Sequence, residues 1–125
     1  MLKFHILTEP KTKKNSQQIA RNPKTGAMFV TQSKTYKQYE KDCALFMPRL
    51  ENPIDRKINV QAVYYRKTRG RADLCNLHEA LCDVLVKYGV VKDDDHKIIA
   101  SMDGSKVLYD KDNPRTEVTI TFYEE

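Results

Sequence analysis

The order of apolar and polar positions predicts a strand near the middle of the chain and a long helix after it. In residues 57–66 apolar side chains alternate with polar ones, which is typical of a strand with one buried face. In residues 73–89 apolar residues recur at helical spacing and fall on one face roughly 100° wide, so we expect that face to belong to the core. The face consists of Leu74, Leu77, Leu81, Val84, Leu85 and Tyr88.

Shorter patterns predict a second helix and several more strands. Ser33 stands where a helix N-cap is favoured, and apolar residues follow it at helical spacing up to Pro48. Tyr36 and Tyr39 in this helix are interpreted as core residues, with stacking on nucleic-acid bases as the alternative. Short apolar or alternating segments predict strands at residues 2–7, 27–31, 98–100, 106–109 and 116–122.

Two segments between these strands have the composition of loops. Residues 10–26 are rich in Pro, Asn, Ser and Lys, and they are expected to form a mobile basic loop with a turn at residues 22–26. Asp103-Gly104 predicts a second turn, with strands on either side of it. The elements together predict an α+β protein in which a mixed sheet packs with two helices.

Length and composition are those of one soluble domain covering residues 1–125. The chain has 40% hydrophobic and 31% charged residues, which is ordinary for a globular protein. No apolar run approaches the roughly eighteen residues that a membrane span needs. Three cysteines without a CxxC pair indicate reduced thiols, so we expect a cytoplasmic protein and neither a disulfide scaffold nor a zinc site.

Charge changes this picture, because the cations are clustered. The net charge is +5 with a pI near 9.1. Between Pro10 and Tyr39 there are seven Lys or Arg residues and no Asp or Glu, and a second basic cluster lies at residues 66–71. Clustered cations bind phosphates by releasing counterions, although a solvated basic loop is the alternative. The candidate DNA-binding residues are Lys11, Lys13, Lys14, Lys24, Arg69 and Arg71.

Acidic residues stand at both ends of the long predicted helix. Asp73 opens the helix, and Asp93, Asp94 and Asp95 follow it in a motif that spans residues 71–97. If Asp73 and Asp94 met in the fold, two crowded carboxylates would need a cation between them. The alternatives are an N-cap role for Asp73 and a solvated turn at residues 93–95.

These residues also match a known pattern. Asp73-Leu74-x-Asn76-Leu77-x-x-Ala80-x-x-Asp83-x-Leu85, followed by Gly89 and Asp93-Asp94, resembles the RusA-type Holliday junction resolvases. The resemblance is strongest over about 30 residues. It is fairly specific because the match includes the polar positions, the helical spacing of the apolar residues and the distance between the helix and the aspartates.

The resemblance implies a mixed α/β homodimer that binds four-way DNA junctions and cuts symmetrically opposed strands. It also implies a phage-derived enzyme that acts in the cytoplasm of a bacterial host. Mg²⁺ would be the cofactor, with Mn²⁺ as its substitute, and Asp73 and Asp94 match the family's metal-binding aspartates.

Two positions depart from that family pattern. The second aspartate of the family's DxDN motif falls on Cys75, and a thiol is a poor ligand for Mg²⁺. The family's helix lysine falls on Glu79, which reverses a charge beside the phosphate. Glu79 is therefore a candidate catalytic residue that replaces the missing carboxylate, and Asp93 is a candidate metal ligand that supplies a nearer oxygen.

Three function classes remain open. The first, which we favour, is a Mg²⁺-dependent junction endonuclease. The second is a junction-binding protein of the same fold that lost its chemistry with Cys75. The third is a module that binds single-stranded nucleic acid on a sheet, which would require Tyr64 and Tyr65 to be exposed.

Overall fold

A computed structural model describes residues 1–13 and 17–124, and that part of the chain has an α+β arrangement of two helices and a mixed sheet, as predicted. The strands are β1 (Leu2–Ile6), β2 (Gln17–Arg21), β3 (Met28–Gln32), β4 (Ile58–Arg66), β5 (Ile99–Ser101), β6 (Lys106–Tyr109) and β7 (Arg115–Phe122). The helices are α1 (Lys34–Ala44) and α2 (Leu74–Lys87).

Strand β4 is the centre of the main sheet. It pairs antiparallel with β7 on one side, and β7 pairs antiparallel with β1. Its alternating residues Ile58, Val60, Ala62 and Tyr64 are all buried, which confirms the half-buried strand expected from the sequence. These side chains face the two helices and form the floor of the core.

The other side of β4 carries two short strands in succession. Both β5 and β6 run parallel to β4, so the turn at Gly104 interrupts one sheet edge and does not reverse the chain as a hairpin turn would. Asn59 of β4 bridges this interruption: its Oδ1 accepts from Ser101 Oγ at 2.5 Å and from the Asp103 N–H at 2.8 Å. The two predicted strands are therefore present, and side chains of β4 hold the link between them.

Both helices place their apolar stripes on the sheet. Ser33 caps α1 by accepting a hydrogen bond from the Tyr36 N–H. Tyr36 and Tyr39 are buried in the core, so the alternative in which they stack on bases is wrong. The Tyr88 hydroxyl after α2 donates to the Glu40 carbonyl at 2.8 Å and joins the two helices.

The predicted mobile loop at residues 10–26 is wrong for residues 17–21, which form a strand. Strand β2 pairs antiparallel with β3 and forms a separate two-stranded sheet, which we call the arm (residues 17–32). Its turn is the predicted one: Asn22 Oδ1 accepts from the Lys24 N–H at 2.9 Å, and Gly26 has φ 76°. The residues of β2 are mostly polar, so a hydrophobicity pattern does not predict this strand. It forms by pairing with β3 and not by packing on the core.

The chain leaves α2 along a defined path. Gly89 (φ 73°) ends the helix, and the Ile54 N–H then donates to the Val90 carbonyl while the Lys92 N–H donates to the Ile54 carbonyl, each at 3.0 Å. This short parallel bridge fixes the backbone immediately before the triplet Asp93–Asp95. The acidic triplet is thus anchored beside the start of β4.

A buried polar pair between β4 and α2 predicts how stability depends on pH. The Tyr64 hydroxyl lies 2.7 Å from His78 Nδ1, and burial lowers the pKa of His78. The unfolded chain therefore binds a proton at His78 at a higher pH than the folded chain does. The free energy of unfolding should fall as pH drops below about 6.5, the ordinary histidine pKa. Urea unfolding of wild type and His78→Gln at several pH values measures this effect, and an equal slope in both proteins would contradict it.

Candidate active site and DNA-binding surface

Asp73 is the N-cap of α2. Its backbone is extended (φ −103°, ψ 115°), and its Oδ1 accepts a hydrogen bond from the Cys75 N–H at 3.0 Å. The capping role expected as an alternative is therefore present. A carboxylate has two oxygens with about four lone-pair sites, so one capping bond leaves capacity for a cation.

Two further acidic side chains lie on α2. Glu79 and Asp83 are four residues apart, and residues at this spacing share one helix face. Lys13 lies on this face, where its Nζ donates to Asp83 Oδ2 at 2.9 Å. The hydrogen bond to Asp83 raises the pKa of Lys13, and the charges of Glu40 and Glu79 raise it further. The predicted DNA-binding Lys13 thus pairs with Asp83 near the charges of Glu40 and Glu79, and we call these three carboxylates the acidic face (Glu40, Glu79 and Asp83).

A buried hydroxyl faces the same carboxylates from inside the protein. The Tyr36 side chain is fully buried, and its oxygen has no hydrogen-bond partner among the residues that the structure describes. Burial raises the pKa of Tyr36, and Glu40, Asp83 and Glu79 add to that rise. Protonated tyrosine therefore lies close to the acidic face and adds no charge to it.

Asp94 lies close to the second half of α2. Partial removal from water raises the pKa of Asp94, and a side-chain hydrogen bond with Asp93 and the charges of Asp93 and Asp83 raise it further. On the helix, burial raises the pKa of Cys82 to about 12, with Asp94 the next largest cause. The charge of Asp83 therefore raises the pKa of Asp94, and the charges of both acids raise the pKa of the Cys82 thiol, although 11 residues separate the two acids in the sequence.

The structure gives Asp73 and Asp94 different neighbours. Asp73 begins α2, whereas Asp83, an electrostatic neighbour of Asp94, comes ten residues later, or about 15 Å along the helix axis. Within residues 1–13 and 17–124, no group of three or more His, Cys, Asp or Glu side chains is arranged to hold a metal ion. Joint metal binding by Asp73 and Asp94 stays a prediction.

The other members of the acidic triplet serve the local turn. Asp93 Oδ1 accepts from the Asp94 N–H at 2.8 Å, and Asp95 Oδ1 accepts from the Lys97 N–H at 3.0 Å. Asp93 and Asp95 also line a small cleft of about 240 Å³ with Asp55 and Lys92. The turn role that the sequence offered as the alternative for Asp93 is therefore present, and its metal role stays a prediction.

A basic cleft opens beside Asp73. It has a volume of about 430 Å³, and its lining includes Lys11, Arg66 and Arg71. Ala72, the residue before Asp73, also lines it. The Lys11 ammonium pairs with Glu9 at 3.2 Å, so one carboxylate already balances part of the charge. The cleft brings predicted DNA-binding residues from two distant parts of the sequence, Lys11 and Arg71, to the start of α2.

The remaining predicted DNA-binding residues lie at other places. The Arg69 guanidinium covers the Tyr109 ring at 4.0 Å from its centroid, and the Arg66 guanidinium donates to the Gly70 carbonyl in the same loop. Lys24 is at the turn of the arm. Lys14 lies outside the described residues. The structure therefore spreads the basic side chains from the arm to the loop before α2.

Sequence reasoning missed part of this site. Asp83 and Glu40 were not among the candidate residues, yet Asp83 binds Lys13 and the charge of Glu40 raises its pKa. A signal for Asp83 was present, because its four-residue spacing from Glu79 places both on one helix face. Glu40 offered no such signal, because its position depends on how α1 and α2 pack.

Comparison with known proteins decides the family. The family model described as "Endodeoxyribonuclease RusA" matches residues 8–121 of the 125-residue chain. The chain belongs to the RusA endodeoxyribonuclease family. Membership implies an endodeoxyribonuclease of the Holliday junction resolvase type, which acts on branched DNA. No curated protein matches the chain significantly.

The two positions at which this chain departs from the RusA pattern, Cys75 and Glu79, lie on the exposed side of α2. Cys75 is exposed in the first turn, directly after the Asp73 cap, and Glu79 is exposed one turn later.

The alternative of a single-strand-binding sheet is not supported, because Tyr64 is only 1% exposed and the Arg115 guanidinium covers the Tyr65 ring at 3.8 Å. None of the helices in the described ranges is both long and apolar enough to span a membrane.

Proposed function

We propose that this RusA family member is a metal-dependent endonuclease that cuts four-way DNA junctions. The observation that carries the proposal is the basic cleft whose lining includes Ala72, the residue before Asp73, at the start of α2. Cutting a phosphodiester requires positive charge that attracts the backbone and carboxylates that hold a cation next to it. Lys11, Arg66 and Arg71 provide the first requirement. For the second we propose Asp73, next to the cleft, and Asp94, beside the second half of α2.

Carboxylates of this kind suit Mg²⁺, with Mn²⁺ as a substitute. Mg²⁺ in proteins is commonly held by one or two carboxylates together with waters and substrate phosphates, so a cage of three protein ligands is not required. Asp73 and Asp94 would be the protein ligands, with Asp93 as a third oxygen donor. When bound, the metal supplies an activated water and stabilises charge on the scissile phosphate.

The protein's own side chains would bind and orient the substrate. Lys11 and Arg71 would bind backbone phosphates in the cleft and orient the strand. Lys13 balances the acidic face, which would otherwise repel the DNA backbone.

We further propose that the enzyme is a homodimer of phage origin acting in the cytoplasm of a bacterial host. A four-way junction has pairs of equivalent strands, and a two-fold symmetric dimer would present one site to each strand of a pair. Sedimentation equilibrium of the protein alone and with a junction measures the number of copies. A monomer in both states would contradict the dimer.

The assay that tests the function is incubation of a synthetic four-way junction with and without Mg²⁺ or Mn²⁺. Paired symmetric nicks that require the metal support the endonuclease. Binding without cutting in any divalent ion supports the second candidate, a junction-binding protein impaired by Cys75, whose thiol is a poor Mg²⁺ ligand. Competition by single strands over junctions would contradict both.

Glu79 is predicted to compensate for the aspartate that Cys75 replaces. Glu79→Ala should then lose most metal-dependent cleavage and keep junction binding, because the carboxylate is needed at the metal and not at the phosphates. Single-turnover cleavage and binding in EDTA measure the two effects. Glu51→Ala, which removes an exposed acid from the linker before β4, is the matched control. Unchanged cleavage in Glu79→Ala would rule compensation out.

A further inference from the structure

The arm carries exposed apolar side chains on an element that is separate from the main sheet. Ile19, Met28, Phe29 and Val30 are 69%, 59%, 49% and 65% exposed. Two strands alone are marginally stable in water, so a hairpin with this composition gains stability when another surface covers it. These four residues belong to none of the clefts around the candidate active site.

The strand register divides the apolar side chains between the two faces of the arm. Ile19 pairs with Val30 and Arg21 pairs with Met28, so these four residues share one face. Phe29 pairs with Ala20 on the other face, where the small alanine leaves the aromatic ring accessible. One face therefore offers an aliphatic patch with a cation at its end, and the other offers a single exposed ring.

Charge indicates which partner covers the arm. No Asp or Glu occurs between Pro10 and Tyr39, and Arg21, Lys24 and Lys34 lie in or next to the arm. If two arms met across a two-fold axis, they would bring the same cations together without an acid of their own to neutralise them. The phosphates of DNA complement this charge, and the flat faces of bases complement an exposed aromatic ring.

The turn of the arm is held in place. Asn22 accepts from the Lys24 N–H through its side chain, its carbonyl accepts from the Gly26 N–H at 2.8 Å, and its own N–H donates to the Ala27 carbonyl at 2.8 Å. A preformed turn lowers the entropy lost on binding. Apolar side chains carried on such elements are inserted between base steps by several DNA-bending proteins.

We propose that the arm contacts DNA at the branch point, with Phe29 stacking on a base there while Lys24 at the turn binds a flanking phosphate. This inference rests on the proposed junction endonuclease, and in it the arm is the element that distinguishes a junction from a duplex. At a branch point a base pair lacks a stacking neighbour on one side, so a ring finds an open base face. Within a continuous duplex no such face is open.

Binding of fluorescent four-way junction and duplex DNA in EDTA tests the proposal without cleavage. Phe29→Ala should weaken junction binding about tenfold, because stacking of one base on an aromatic ring is worth about 1–3 kcal/mol and 1.4 kcal/mol is tenfold. Duplex binding should change less than about twofold, since the cations remain. Phe29→Tyr keeps an aromatic ring and should restore junction binding. Phe122→Ala serves as the control, because Phe122 at the end of β7 is 54% exposed but the Arg56 guanidinium covers its ring at 3.9 Å.

A junction with 2-aminopurine at the branch point gives a second readout. Wild type should change its fluorescence, and Phe29→Ala should not. Equal junction affinity of wild type and Phe29→Ala would overturn the inference while the endonuclease proposal stands. Conversion of a dimer to a monomer by Phe29→Ala, with equal loss of duplex and junction binding, would also overturn it and assign the arm to contacts between copies. If wild type shows no preference for junctions, both proposals fall.

Discussion

Replacing Asp94 by asparagine should reduce metal-dependent junction cleavage by about a hundredfold or more. A carboxylate that holds a catalytic cation contributes several kcal/mol to the transition state, and each 1.36 kcal/mol is a factor of ten in rate. Junction binding in EDTA should stay the same or tighten, because the substitution removes a negative charge near DNA. Single-turnover cleavage at saturating protein measures the first effect, and anisotropy measures the second.

The neighbouring Asp95 provides a matched control. Its Oδ1 accepts from the Lys97 N–H, and asparagine keeps an oxygen that can accept the same bond. Asp95→Asn should therefore cleave like wild type. Equal cleavage by Asp94→Asn and wild type would contradict a metal role for Asp94. Equal loss in both variants would indicate that the charge of the triplet, and not Asp94 itself, is what matters.

The pH dependence of cleavage follows from the same residue. Partial desolvation and nearby acids raise the pKa of Asp94, so it takes up a proton at a higher pH than an ordinary aspartate. A protonated carboxyl is a poor metal ligand, and cleavage should fall on acidification before ordinary aspartates titrate. The same direction of shift means that ionised Asp94 costs stability: its contribution favours the folded state more as pH falls. Asp94→Asn should consequently unfold no more easily than wild type at neutral pH.

The main elements could be predicted because their periods are clear. Residues 57–66 alternate and residues 73–89 repeat at helical spacing, and the structure has β4 and α2 there. Both elements place an apolar surface on the same core, so burial imposes the pattern on the sequence. The order of strands in the sheet depends on pairing between distant segments, which period alone does not reveal.

The arm and the acidic face show why the rest could not be predicted. In strand β2 none of Ile19, Ala20 and Arg21 is buried, so burial did not require these residues to alternate in hydrophobicity, and the segment resembles a loop. Lys13 and Asp83 are 70 residues apart and meet only because the segment after β1 passes over α2. Sequence reasoning assigned Lys13 to DNA for its charge, but the position of a long flexible cation depends on which acids the fold brings near it.

Introducing the family's aspartate by Cys75→Asp should raise Mg²⁺-dependent cleavage about tenfold or more. Cys75 is exposed in the first turn of α2, next to the Asp73 cap, so a carboxylate there would add a hard oxygen ligand where the chain has a soft thiol. An acid in the first helical turn also interacts favourably with the helix dipole, so the variant should fold at least as stably as wild type. Cleavage rates in Mg²⁺ and in Mn²⁺ measure the effect.

Cys75→Asn separates ligand chemistry from size and hydrogen bonding. Asparagine has nearly the shape of aspartate but no charge, so it should not raise cleavage as aspartate does. If Cys75→Asp leaves the rate unchanged, position 75 does not contact the cation in this protein, and the family's ligand pattern does not transfer to it. If Cys75→Asp does raise the rate, the double variant Cys75→Asp with Asp94→Asn shows whether the new carboxylate and Asp94 bind the same cation. Because a cation shared by the two residues needs both carboxylates, the double variant should lose the activity that Cys75→Asp alone gains, whereas independent sites would keep part of it.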